Sequence, residues 1–82
     1  MNTNLNEQTY QTSDLALATC LCLFFPLEGI DRTNARRVTF IFEKSEDLDT
    51  LVNQYWRGQV QVEPQKFFNQ LKIIKSRLYG EQ

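Results

Sequence analysis

An apolar run over residues 15–25, ended by Pro26, is the strongest constraint on what this chain can fold into. The run is eleven residues long, whereas a membrane-spanning helix needs about 20 apolar residues. No basic residue precedes it, although a secretory signal peptide begins with a positively charged segment. We therefore expect the run to be buried inside a folded, cytoplasmic protein that has no membrane partner.

This run contains both cysteines of the chain, Cys20 and Cys22. Residues so close in sequence rarely place their Cβ atoms at the distance and orientation that a disulfide needs, in a helix or in a strand. Free cysteine packs as a small apolar residue, and reduced thiols are typical of the cytosol. The spacing therefore predicts two buried, reduced thiols.

Capping residues and apolar periodicity predict three helices. The first covers residues 14–24, after a run of side chains that can supply an N-cap oxygen, and Pro26 ends it. Its leucines fall at odd positions, which also fits a strand, but its alanines, its cap and its length favour a helix. Ser45 caps the second helix, which carries one continuous apolar stripe and is ended by Gly58. Pro64 suits the first turn of the third helix, which runs nearly to the end of the sequence.

Alternating apolar residues predict an antiparallel β-hairpin with strands over residues 27–32 and 37–43. Phe40 and Phe42 share one face of the second strand, so that face should be covered by helices. Residues 59–62 alternate as well and could add a short third strand. The connection between the two hairpin strands is polar and is predicted to form a turn.

The predicted fold class is therefore α+β: an antiparallel β-hairpin packed against three α-helices. The predicted order of elements is α-β-β-α-(β)-α, in which the bracketed short strand is left open. Residues 1–12 are polar and aperiodic and are predicted to form a flexible N-terminal arm, whereas residues 13–80 form a single compact α+β domain. Trp56 is predicted to be the main core aromatic, with an interface anchor as the alternative.

Several chemistries lack their usual residues. The chain has no histidine, which is the commonest general acid or base and a common zinc ligand. Its three glycines are scattered, so no glycine-rich phosphate loop is formed. Acidic residues cluster over residues 43–49, where a helix N-terminus favours negative charge; a paired-carboxylate or divalent-metal site is the alternative. The sequence predicts a protein that is not an enzyme and has no catalytic residue, cofactor or metal ion.

Two local clusters of basic residues stand out against a net charge of −1. The overall charge argues against broad binding to nucleic acid, which needs a basic face, but it leaves room for a local patch. A charged turn and a solvated basic helix are the alternative interpretations of these clusters. The predicted nucleic-acid or partner contacts are Arg32, Arg36 and Arg37 at the hairpin turn, and Lys72, Lys75, Arg77 and Tyr79 on the last helix.

A series of different short motifs covers most of the chain. They are Ser13-Asp14-Leu15, Gly29-Ile30-Asp31-Arg32, residues 37–43, Leu48, Leu51-Val52, Tyr55-Trp56-Arg57-Gly58, Phe67-Phe68, Leu71-Lys72 and Lys75-Ser76-Arg77-Leu78-Tyr79. In this combination the chain resembles a family of short bacterial and phage proteins known only as a domain of unknown function. The resemblance implies a stand-alone domain, often encoded near phage, plasmid or other mobile genes, and it carries over no catalytic residue.

Two functions from different classes are consistent with these observations. The first is a small non-enzymatic accessory module of phage or mobile-element type that contacts nucleic acid through the hairpin arginines and the last helix, with Tyr79 available for stacking. The alternative is a protein-binding adaptor or inhibitor that acts on a host or mobile-element complex. Its docking surface would be an exposed apolar patch or a strand edge at residues 59–62. The sequence leaves the oligomeric state open, a homodimer included.

Overall fold

Three strands and three helices make up the structure, a computed structural model that describes residues 8–34 and 36–80. The α+β class is confirmed, but the order of elements is β-α-β-β-α-α instead of the predicted α-β-β-α-(β)-α. The elements are β1 (Thr9–Thr12), α1 (Leu15–Cys22), β2 (Leu27–Asp31), β3 (Thr39–Glu43), α2 (Glu46–Trp56) and α3 (Pro64–Gly80).

The third strand lies before α1, not after α2 as predicted. β1 pairs antiparallel with β3, with Tyr10 opposite Phe42. Residues 59–62, predicted as the additional strand, have no regular secondary structure. The polar sequence of β1 offers little apolar alternation, so only the open edge of β3 defines it as a strand. The predicted flexible arm is therefore corrected at Thr9–Thr12, and residues 1–7 of that arm lie outside the described residues.

β3 is the central strand of the sheet, whose order is β1-β3-β2. The predicted antiparallel hairpin is confirmed, because β2 pairs antiparallel with β3. The register of this pair shifts between Leu27 and Gly29. Residues that lie opposite each other on paired strands project from the same face. One face carries Phe40 and Phe42 and packs against apolar residues of all three helices. The other face carries Ile41 among polar neighbours.

α1 is buried on most of its surface, as the apolar run predicts. Five consecutive residues from Leu17 to Leu21 are buried, and the helix contacts β1, α2 and α3. The one buried polar side chain among the described residues is Thr19, whose hydroxyl donates to the Leu15 carbonyl oxygen at 2.8 Å. At the start of α1, the Asp14 carboxylate accepts from the Leu17 N–H at 3.0 Å. Among the helices of the described ranges, none has the length and apolar character needed to cross a bilayer.

The ends of α2 follow the local signals in the sequence. The Ser45 hydroxyl accepts from the Leu48 N–H at 3.1 Å and thereby satisfies a backbone group that the first turn leaves unpaired. Gly58, just beyond the helix, has a φ of 71°, a conformation that glycine adopts without steric cost. These two residues confirm the predicted start and end of the second helix.

Trp56 is not the core aromatic that the sequence predicts, because its side chain is 62% exposed. The buried residues of α2 are Leu48 and Val52, and Tyr55 packs against the core beside them. Trp56 lies about 100° round the helix from Tyr55, which places it at the margin of the apolar stripe. Its ring instead meets the edge of the Tyr55 ring, with centroids 5.1 Å apart.

Burial also sets the chemistry of the two thiols, which are both free: Cys20 is buried as predicted, whereas Cys22 is only half-buried. Burial raises the pKa of Cys22 to about 11, and the nearby Arg77 only partly opposes that shift. The pKa of Cys20 is raised by burial as well. A thiol must ionise to act as a nucleophile, so both side chains act as small apolar groups at neutral pH.

The fully buried ring of Phe42 provides a test of the core. Replacing Phe42 with Ala is expected to lower the free energy of unfolding by about 3–5 kcal/mol, because the lost ring leaves a cavity. Urea denaturation followed by circular dichroism measures the change. Phe68→Ala is the matched control, since that ring is 59% exposed, and it should cost less than about 1 kcal/mol. An equal loss at both positions would contradict this assignment of the core.

The raised thiol pKa predicts slow alkylation of the native protein. At pH 8 iodoacetamide should label Cys22 about a hundredfold more slowly in the folded protein than in urea, where its pKa returns to 9.0. Between pH 8 and pH 10 the native rate should rise about tenfold per unit, because each unit below the pKa raises the thiolate fraction tenfold. Cys20→Ala isolates the Cys22 signal. Native labelling as fast as in urea would disprove burial of this thiol.

Candidate functional site

Positive charge is concentrated in α3. All four charged residues of this helix are basic, and all ten acidic residues of the chain lie outside it. The rest of the chain therefore carries five basic and ten acidic residues. Although the net charge of the chain is −1, every charged residue of α3 is basic. The four basic residues are Lys66, Lys72, Lys75 and Arg77.

Four side chains form a continuous exposed line along α3, which we call the outer stripe: Phe68, Lys72, Lys75 and Tyr79. All four are exposed, and their spacing of i, i+4, i+7 and i+11 keeps them within a sector of about 60° on the helix surface. The two rings at its ends are separated by about 16 Å along the helix axis. Ile74 is buried on the opposite face. The outer stripe is thus a true surface of the folded protein.

The outer stripe contains two aromatic rings, and both are exposed enough to contact an apolar group of a ligand. Phe68 is 59% exposed and Tyr79 is 73% exposed. Phe67, which is half-buried, meets the Phe68 ring edge to face, with centroids 5.9 Å apart and an angle of 83° between the planes. Tyr79 borders a shallow depression together with Lys72 and Lys75. An aromatic ring therefore lies beside the lysines at each end.

Phe68 is the member of the outer stripe that sequence reasoning missed. Of the contacts predicted on the last helix, Lys72, Lys75 and Tyr79 lie together, whereas Arg77 is half-buried and lies outside this group. The spacing that would have added Phe68 is present in the sequence, four residues before Lys72. The apolar stripe of Phe67, Leu71, Ile74 and Leu78 predicts from the sequence that Phe67 faces the core, so Phe68 falls outside that stripe. The structure agrees, because Phe67 is half-buried and Phe68 is exposed.

Arg32 joins the end of β2 to the last turns of α3. Its Nη2 atom donates to the carbonyl oxygen of Arg77 at 2.5 Å, across 45 positions of sequence. Carbonyl groups in the last turns of a helix are left without helical partners and carry the negative end of the helix dipole. A guanidinium at this point stabilises the helix end. Arg77 itself is half-buried, close enough to Cys22 to affect its pKa.

Arg36 and Arg37 lie at a different place from Arg32. They border a shallow depression with Ser13 and Asp14, at the start of α1. The Nε atom of Arg37 donates to the Ser13 hydroxyl at 3.4 Å. The β2–β3 connection therefore divides the predicted hairpin cluster: Arg32 contacts α3, whereas Arg36 and Arg37 lie over the junction of β1 and α1.

Side-chain hydrogen bonds hold the described part of that connection. The Asp31 carboxylate accepts from the backbone N–H of Thr33 at 2.9 Å and from its hydroxyl at 2.8 Å. These two bonds lower the pKa of Asp31, because they favour its charged form. The Asn34 side-chain oxygen accepts from the Arg36 N–H at 3.0 Å. Such local bonds are typical of tight turns, and they fix the backbone on both sides of residue 35.

Acidic residues gather at the end of the sheet away from this connection. Glu28 at the start of β2 and Glu43 at the end of β3 border one shallow depression there with Lys44. The first turn of α2 adds three further carboxylates, of which Asp49 pairs with Lys44 at 3.2 Å. Within residues 8–34 and 36–80, no three thiol or carboxylate side chains are arranged so that they could hold a metal ion.

Comparison with known proteins identifies a family and nothing finer. No curated protein and no solved structure matches the chain. The profile of one family, described as a domain of unknown function, matches residues 7–80. That range includes β1 and continues to the end of α3, so it contains the whole sheet and every basic residue discussed above. The predicted resemblance is confirmed at this level. The chain belongs to the family Domain of unknown function (DUF5659).

Proposed function

We propose that this protein is a small, non-enzymatic accessory module that contacts nucleic acid through the outer stripe of α3. The observation that carries the proposal is the charge of this helix, which has four basic residues and no acidic one in a chain of net charge −1. Phosphates supply most of the affinity in such contacts, because bound cations release the counterions that surround the nucleic acid.

The geometry of α3 suits a contact with a phosphate backbone. Lys72 and Lys75 lie one turn apart on the exposed face, and neither has an acidic neighbour within the helix. Long basic side chains on a rigid helix can reach adjacent phosphates without rearrangement of the backbone.

The uneven distribution of charge would also orient the protein. Carboxylates lie at one end of the sheet, at Glu28, Glu43 and the start of α2, whereas at the other end Arg32, Arg36 and Arg37 outnumber Asp14 and Asp31. A polyanion repels the first end and attracts the second, so α3 and the β2–β3 connection would face it during approach. Binding of this kind should weaken steeply as salt is added.

Reversing charge in the outer stripe tests the proposal. The double variant Lys72→Glu/Lys75→Glu is expected to bind labelled DNA or RNA at least tenfold more weakly at about 50 mM salt, because two phosphate contacts become repulsive. The slope of log affinity against log salt should fall by about 1.4 for a single strand, at about 0.7 per phosphate contact. Fluorescence anisotropy at about 50 and 200 mM salt measures both quantities.

Lys66→Glu is the matched control for this double variant. It makes the same change of charge in the same helix, but it lies roughly 150° round the helix from the outer stripe. It also puts a carboxylate in the first turn, where the helix dipole favours one. For each charge reversed, Lys66→Glu should lower the affinity for DNA or RNA much less than the double variant does. Absence of wild-type binding at low salt, or an equal loss from Lys66→Glu, would overturn the proposal.

A second candidate function is supported by a different part of the surface. Trp56 and Phe24 are 62% and 53% exposed, and neither belongs to the outer stripe. Exposed tryptophan often anchors protein–protein contacts, which favours an adaptor or inhibitor that acts on a host or mobile-element complex. Trp56→Ala separates the two functions, since it should leave nucleic-acid binding unchanged if α3 is the contact surface.

A further inference from the structure

We infer, on the basis of the proposed function, that the outer stripe takes a single-stranded nucleic acid whose bases stack on Phe68 and Tyr79. In this arrangement Lys72 and Lys75 contact the phosphates that lie between the stacked bases. The substrate class is therefore an unpaired strand, and the protein would bind it with little preference for sequence, because every base offers a flat face for stacking.

Exposed rings beside cations support stacking. Burial of an aromatic side chain is normally favourable, and α3 buries the neighbouring Phe67 in part while leaving Phe68 59% exposed. Tyr79 is 73% exposed at the other end of the outer stripe. Combinations of aromatic platforms with a positively charged track are typical of proteins that bind single strands.

The spacing of the rings favours an unpaired strand over a duplex. Bases in a duplex already stack on each other, so a side chain reaches their faces only by forcing a step open. Phe68 and Tyr79 lie about 16 Å apart, which corresponds to roughly five nucleotides at the rise of about 3.4 Å of a stacked strand. Two distant platforms with cations between them fit one strand that lies along the helix.

Contacts at both ends of the outer stripe hold it in place before any strand binds. The edge-to-face contact with Phe67 restricts the ring of Phe68, with centroids 5.9 Å apart. At the other end, the hydrogen bond from Arg32 to the carbonyl of Arg77 restrains the turn that carries Tyr79. Groups that are already ordered lose less entropy on binding, so even a short strand should gain from both rings.

Three labelled probes of equal length test this inference by fluorescence anisotropy: a single-stranded oligonucleotide, its duplex, and an abasic strand that keeps the phosphates but has no bases. The wild-type protein should bind the abasic strand at least tenfold more weakly than the normal strand, and should prefer the normal strand to the duplex. Phe68→Ala and Tyr79→Ala should each lower affinity for the normal strand about tenfold.

The aromatic variants have a signature that the lysine variants lack. Because Phe68→Ala removes no charge, the salt slope of binding should stay as in the wild type. Tyr79→Phe should retain affinity, since it keeps the ring. Phe68→Leu should lose affinity for the normal strand although it keeps apolar bulk. Phe24→Ala should leave that affinity unchanged, because its ring is similarly exposed but lies off the outer stripe. Urea denaturation of each variant confirms that it is folded.

The outcomes separate this inference from the proposed function. Salt-dependent binding that Lys72→Glu/Lys75→Glu abolishes, but that is equal for normal and abasic strands, would overturn the stacking inference and leave the nucleic-acid module standing. If Phe68→Ala and Tyr79→Ala keep wild-type affinity for the normal strand, the stacking inference is likewise overturned and the nucleic-acid module still stands. No binding to any probe at about 50 mM salt would overturn both.

Discussion

The packing of α1 against its neighbours is the interaction on which the rest of this structure depends. Residues from Leu17 to Leu21 are buried without a break, and the helix contacts β1, α2 and α3 at once. Burial of apolar area is the main stabilising contribution in a domain this small. α1 therefore decides where the other helices lie over the sheet face that carries Phe40 and Phe42. The Thr19 hydroxyl is tolerated there because it has a backbone acceptor.

The exposed surface of α3 is a consequence of that packing. Because Ile74 enters the core, residues about 100–160° round the helix from it face solvent, and these include the aromatic and basic residues of the outer stripe. A lone basic face would suit any solvated helix. What distinguishes α3 is the absence of any acidic residue among its charged side chains, together with two rings that the core leaves largely uncovered. Charge and ring faces are the chemistry that α3 offers a partner.

The helix ends, Trp56 and β1 show which features of the fold local sequence can predict and which it cannot. Ser45, Gly58 and Pro64 mark helix ends through bonds and steric limits that involve only a few neighbouring residues, and their predicted roles hold. Trp56 was predicted wrongly because a wheel position at the margin of a stripe does not show which neighbour completes the core. Thr9–Thr12 was missed for a related reason: a polar strand has no signal of its own and depends on a distant edge to pair with.

The sequence by itself determined the three helices, the hairpin, the inward face of β3 and the uniform positive charge of α3. These follow from periodicity, capping and composition, which act over a turn or a strand. Only the tertiary structure decided that β3 pairs with β1, that Trp56 lies outside the core, and that Arg32 reaches Arg77. It also separated Arg32 from Arg36 and Arg37. Each of these depends on contacts between residues far apart in the chain, which local preferences cannot specify.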